Sequence, residues 1–134
     1  MPSVRRAVLA VLSAWHGLAA VKNVCDLCAE FDLVPNAAAF GSKNFPAIER
    51  LLAPLHLPRE AIGVMLAGVV AMESAIALAF ARGDDETAFA LGIVLFGSFA
   101  LVDEAMVDYE LDETHRGILM LLLTVYLVTR HERP

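Results

Sequence analysis

Residues 61–81 form an apolar run of 21 positions broken by one charged side chain, Glu73. A helix of that length crosses a hydrocarbon core of about 30 Å, where every backbone N–H and C=O must find its partner inside the segment. The rest of the chain must suit that setting, and its composition does. Of 134 residues 58% are hydrophobic and 19% charged, too apolar for a small water-facing fold. Aromatics at 7% and the lack of ten-residue alternating strands argue against a β-barrel.

Three more uncharged stretches follow the same logic. Residues 7–21 are flanked by Arg5, Arg6 and Lys22, residues 87–102 continue as helix through Asp103 and Glu104, and residues 117–129 need 114–116 and Arg130 to reach spanning length. The sequence therefore predicts an all-α, integral-membrane four-helix bundle in one domain, with spans at about 5–24, 60–81, 87–107 and 114–130. Arg5 and Arg6 resemble a signal-peptide start, but no cleavage site followed by a soluble domain appears, so the segment reads as a retained first span. The first loop is long and irregular, because Pro35, Pro46, Pro54 and Pro58 forbid a long helix. Within it Ile48, Leu51, Leu52 and Leu55 recur at helical spacing, the pattern of a short interfacial helix over 47–55. In 82–86, Gly83 supplies a helix C-cap and Asp84, Asp85 and Glu86 an acidic start to the next helix.

The expected location is the cell membrane, as a multi-pass protein in contact with lipid. Cations do not decide orientation: Arg5, Arg6, Arg82, Arg130 and Arg133 lie on one side, and Lys22, Lys43, Arg50, Arg59 and Arg116 on the other. Four of the first five sit in the short end segments, which favours cytoplasmic termini. A net charge of −6 excludes nucleic acid as a partner. Gly63, Ala67, Ala71 and Ala75 recur every four residues, a close-packing face for use inside the bundle or in a homo-oligomer.

Ionisable groups in a span need a reason. Taking Lys22 as the end of the first span puts His16 about 9 Å below the first-loop surface. Asn23, Asp103, Glu104, Asp108 and His115 fall on the same side, with Glu104, Asp108 and Asp112 spaced to share one helix face, so a cluster of the first five with His16 is geometrically possible. It reads as solvated helix ends, as a pocket for a quinone-like or other amphipathic small molecule, or as a metal site. The Glu-x-x-His pairing of di-iron bundles is missing from spans one, two and four, which counts against metal. Glu73 lies about 18 Å deep. It is either a proton-coupling residue or a protonated carboxyl bonded to Ser74, Ser98 or a carbonyl of a neighbouring helix.

Cys25 and Cys28, at i and i+3, can act as a redox pair. With cytoplasmic termini they face the oxidising compartment, and an intramolecular disulfide is expected.

In the order of its features the chain resembles the DoxX-like superfamily of small four-helix membrane proteins. The residues concerned are His16-Gly17-Leu18-Ala19-Ala20-Val21-Lys22-Asn23 closing the first span, Leu55-His56-Leu57-Pro58 leading to the buried Met72-Glu73-Ser74, and His115-Arg116-Gly117 opening the last. The resemblance implies a four-helix bundle tied to electron transfer, in some members a small subunit of a quinone-linked oxidoreductase. Cys25 and Cys28 are not a general mark of that group. The expected function is an accessory or partner subunit of such a complex. The alternative is a small proton-coupled transporter or channel using Glu73.

Overall fold

The computed structural model describes residues 2–106 and 108–131. Val107, the expected end of the third span, and Arg133, one of the counted cations, lie outside the described residues, as do Met1, Glu132 and Pro134. Within them the chain is helical, with no strand: α1 Pro2–Glu30, α2 Asn44–Leu52, α3 Arg59–Arg82, α4 Asp85–Met106 and α5 Tyr109–His131. Short 3-10 turns at Ala37–Ala39 and Ala53–Leu55 punctuate the first loop.

The ends of the helices follow from local chemistry. α1 stops in a Schellman motif: Asp32 takes φ 51, the Leu33 N–H bonds to the Cys28 carbonyl at 2.8 Å, and the Asp32 N–H bonds to Ala29. α3 ends in the same way at Gly83, with φ 76, where the absence of a Cβ removes the steric penalty. Asp84 then caps α4, its carboxylate accepting the Thr87 N–H at 3.2 Å. Asp108 repeats this at α5, accepting the Leu111 N–H at 3.2 Å.

These short connections set α3 antiparallel to α4 and α4 antiparallel to α5, while α1 runs back along α3. The α1–α3 register can be read from Ser13 donating to the Ala77 carbonyl and from Asn23 reaching Glu73. One core draws on all four long helices: Leu9 and Leu12 from α1, Ile76 and Phe80 from α3, Phe89 and Phe96 from α4, and Leu122 from α5. Phe80 and Phe89 meet edge to face with ring centroids 5.1 Å apart.

Val4–Glu30, Arg59–Arg82 and Asp85–Met106 are long and apolar enough to cross a membrane. Only 28% of the most apolar stretch of each is buried inside the protein, so most of that apolar surface faces outward. α5, home of the expected fourth span, is not among them. Its first two turns contain Asp112, Glu113 and Arg116, which lower its hydropathy.

Three boundaries differ from the sequence reading. α1 continues past 24 to Glu30, because nothing in 22–30 breaks a helix and the Schellman turn lies beyond it. α5 begins at Tyr109, so Asp108 belongs to a cap and not to a face shared with Glu104. α2 starts at Asn44, with Pro46 in its first turn, where a missing N–H is tolerated. Its inward side carries Phe45 and Ile48, packed against Ile62 and Leu66 of α3, and the buried Leu52, while Leu55 is exposed. The helix rests on protein through Phe45 and Ile48, where the sequence reading laid it along the membrane surface. Of the small-residue face, Gly63 is buried and Ala67, Ala71 and Ala75 face outward, so the described fold makes little internal use of it.

Phe45 is fully buried and lies edge to face with Phe31 at 5.9 Å. Phe45→Ala should lower stability by about 3–5 kcal/mol, the usual cost of removing a buried aromatic side chain. Reversible unfolding in mixed detergent–denaturant micelles measures it, and a change within 1 kcal/mol would show that the first loop is not packed as described.

Candidate functional site

Two polar seams cross the apolar interior. The first joins α1 to α3 and to the first loop. Asn23, 1% exposed, donates through Nδ2 to Glu73 Oε2 at 2.8 Å. Both side chains lean toward the N-terminus of their own helix, and the helices are antiparallel, so Glu73 reaches toward the loop while Asn23 reaches away from it. The Asn23 Oδ1 accepts from Ser42 Oγ at 2.9 Å and from Asn44 Nδ2 at 2.7 Å. Asp26, one turn further along α1, shares the single Ser42 hydroxyl proton with Asn23, its Oδ2 lying 2.7 Å from Ser42 Oγ, and accepts from the backbone N–H groups of Lys43 and Asn44 at 2.9 and 2.6 Å. α2 has no side-chain cap of its own. The Asp26 carboxylate does that work from a different helix, where negative charge meets the positive end of the helix dipole.

The second seam joins α4 to α5. Asp103, 1% exposed, is hydrogen-bonded to His115 Nδ1. Glu104, on the neighbouring side of α4, takes Arg116 Nη2 at 2.7 Å, and the buried Asp112 lies 2.7 Å from Arg116 Nε. Rings surround the His115 imidazole: Phe99 at 4.9 Å and Phe96 at 6.3 Å. On its other side Phe96 faces His16 at 6.0 Å and stacks on Trp15 at 6.3 Å. His16 is 1% exposed and its Nε2 has no hydrogen-bond partner.

The six residues expected to cluster are therefore divided. The structure brings Asp103 and His115 together, ties Glu104 to Arg116, uses Asp108 as a helix cap and gives Asn23 to Glu73. His16 is deeper than its distance from Lys22 indicates, because α1 runs 14 residues beyond it, about 21 Å. The partner of Glu73 is Asn23, in place of Ser74, Ser98 or a carbonyl. Ser98 instead donates to the Val94 carbonyl on its own helix at 2.7 Å.

Asp26, Ser42 and Asn44 escape a reading of spans alone. The available signal was a Gly-Ser-Lys-Asn run before Phe45-Pro46, since Ser and Asn collect at helix starts. Cys25 and Cys28 are both free and half-buried in this structure. They lie within an unbroken helix, where positions three apart point about 60° apart around the axis. Closing the expected disulfide would distort the turn that holds Asp26 on the loop.

No three His, Cys, Asp or Glu side chains among the described residues converge as metal ligands. Comparison with family models, curated proteins and solved structures gives no match to this chain.

A hydrogen-bonded Asn–Glu pair tolerates loss of the charge better than loss of the donor. Glu73→Gln should change stability by less than about 1 kcal/mol, whereas Asn23→Asp, which sets one carboxyl against another, should cost about 2–3 kcal/mol. Unfolding midpoints of the two variants decide it. Equal costs would mean that Asn23 does not serve Glu73.

Proposed function

We propose that the four long helices form a transmembrane bundle, α5 supplying the fourth span, and that the protein serves as a small membrane subunit or partner of a quinone-linked redox complex. The observation that carries this reading is the Asp103–His115 pair beside Phe96 and Phe99. With Nδ1–H committed to a buried carboxylate, the His115 Nε2 is left to accept a proton or, when the ring is doubly protonated, to donate one. A quinone offers two carbonyl oxygens for such a bond and a flat ring for aromatic side chains, so the residues present fit the group. The unpartnered His16 Nε2, on a ring 6.0 Å from Phe96, supplies a second polar atom near one of these rings. In this reading the electron-carrying centre belongs to the partner, and the bundle orients the quinone head and manages its protons.

A second reading, proton-coupled transport, is favoured by one observation: Glu73 is buried in the most apolar of the candidate spans, its side chain bonded to Asn23. Unchanged flux in Glu73→Gln proteoliposomes for every cation tested would remove it.

Trp15 is the single tryptophan, stacked on Phe96, and reports on the proposed quinone site directly. Titrating a short-chain quinone into the protein in nanodiscs should quench its fluorescence saturably. His115→Leu should weaken that binding about tenfold, the effect of one lost hydrogen bond. Linear, unsaturable quenching, the same in wild type and His115→Leu, is collisional contact from the lipid phase and would overturn the reading. Intact-complex mass after mild-detergent extraction tests the partner: a bare monomer with neither protein nor quinone attached argues against it.

A further inference from the structure

The first loop is held to the bundle in two different ways. Ala37 and Phe45 are apolar anchors, 7% and 0% exposed. Between them, residues 38–44 bury no side chain, and the hydrogen bonds that tie them to α1 come from Ser42, the Lys43 and Asn44 N–H groups and the Asn44 amide, all to Asn23 or Asp26. At Gly41 the backbone comes so close to α1 that a Cβ there would collide with Asp26 Oδ1. Asn36 and Lys43 take left-handed φ values of 61 and 63 at the two ends of the stretch, conformations held by their surroundings. Directly beneath, Asn23 passes from Ser42 and Asn44 on one side to Glu73 on the other.

We propose that residues 38–44 are a strap that closes the first-loop side of the bundle over Glu73, with the Asp26 carboxylate as its latch. Hydrogen bonds near a helix end exchange for bonds to water at small net cost, whereas withdrawing Phe45 would expose a whole aromatic ring. The strap therefore lifts between its anchors while α2 stays docked. When it lifts, Asn23 loses Ser42 and Asn44 and water reaches the Asn23–Glu73 pair from the loop side. When it closes, Asp26 recaptures both N–H groups and the Glu73 carboxyl is sealed. This gate is independent of the Asp103–His115 reading, since it lies on the other seam.

The test is carboxyl labelling of the full-length protein in nanodiscs with a water-soluble carbodiimide and glycinamide, read residue by residue by peptide mass spectrometry. Glu49, exposed on α2, is the internal reference. In wild type Glu73 should react at least about tenfold more slowly than Glu49. Asp26→Asn, which loses the charge-assisted latch, should speed Glu73 labelling about tenfold. Gly41→Ala, whose Cβ would collide with Asp26 Oδ1 and push the strap off while leaving the charge of the carboxylate in place, should act in the same direction. In both variants amide exchange should rise across 38–44 and stay slow across 62–80. Glu73 reacting as fast as Glu49 in wild type overturns the proposal. So does Gly41→Ala with faster exchange in 38–44 and unchanged Glu73 labelling, or labelling that rises only when α3 itself loses protection. Should Asp26→Asn not fold, the wild-type ratio and Gly41→Ala still decide.

Discussion

The first-loop end of this protein depends on one carboxylate. Asp26 stands on α1, yet its oxygens satisfy the leading N–H groups of α2, a helix that has no cap within its own sequence. Without that acceptor, α2 would begin with orphaned donors near the edge of an apolar bundle, an expensive arrangement. With it, α2 is fixed at the height where Phe45 fills the space between Phe31, Ile62 and Leu66. Docking of α2 thus rests on an electrostatic contact that orients it and on apolar burial that holds it. Neither suffices alone for a nine-residue helix, which is too short to be stable by propensity.

The rest of the bundle is organised around the same division. Apolar side chains face both ways, into the core and outward, so hydrophobicity alone cannot tell one helix face from another. Polar groups do that work. Arg5 bonds to the buried Asp85 at 2.5 Å at one end of α1, and Glu30 pairs with Arg59 at the other. Asn23–Glu73 fixes the rotation of α1 against α3 between them. On the opposite side Asp103–His115 and Glu104–Arg116 fix α5 against α4. Between helices surrounded by apolar surface, a polar contact that exists in one register only is the available device for choosing that register.

That division also explains what could be read in advance. Helix number, the helical first loop broken by prolines, the Gly83–Asp84 turn and the helical spacing of Ile48 and Leu52 follow from composition, spacing and caps, which are local; that this short helix packs on protein does not. The pairing of Asn23 with Glu73 is not local, because 50 residues separate them and their meeting depends on how far α1 extends. Lys22 looked like the end of a span because cations usually sit at its edge, but Asp26 gives the following turn a reason to remain helical and buried. Glu104, Asp108 and Asp112, spaced by four, read as one face until Asp108 proves to be a cap that divides two helices. In each case a polar residue had two possible roles, and only a partner distant in sequence selected one.

α1 is the element common to both seams, and this gives His16 its significance. Asn23 faces the Glu73 seam, and two turns away His16 and Trp15 face Phe96, the ring that also touches His115. The other buried polar side chains described on this helix, Asn23 and Asp26, have partners. The His16 Nε2 has none, and an orphaned nitrogen in such surroundings costs about 1–3 kcal/mol relative to a bonded one. A leucine at that position would fill a helix interior without that cost. Proteins tolerate such local conflicts mainly where a site needs the polar atom. The conflict falls beside Phe96, the one ring that also borders His115, and this is where the proposed quinone reading would use the polar atom that the fold leaves unsatisfied.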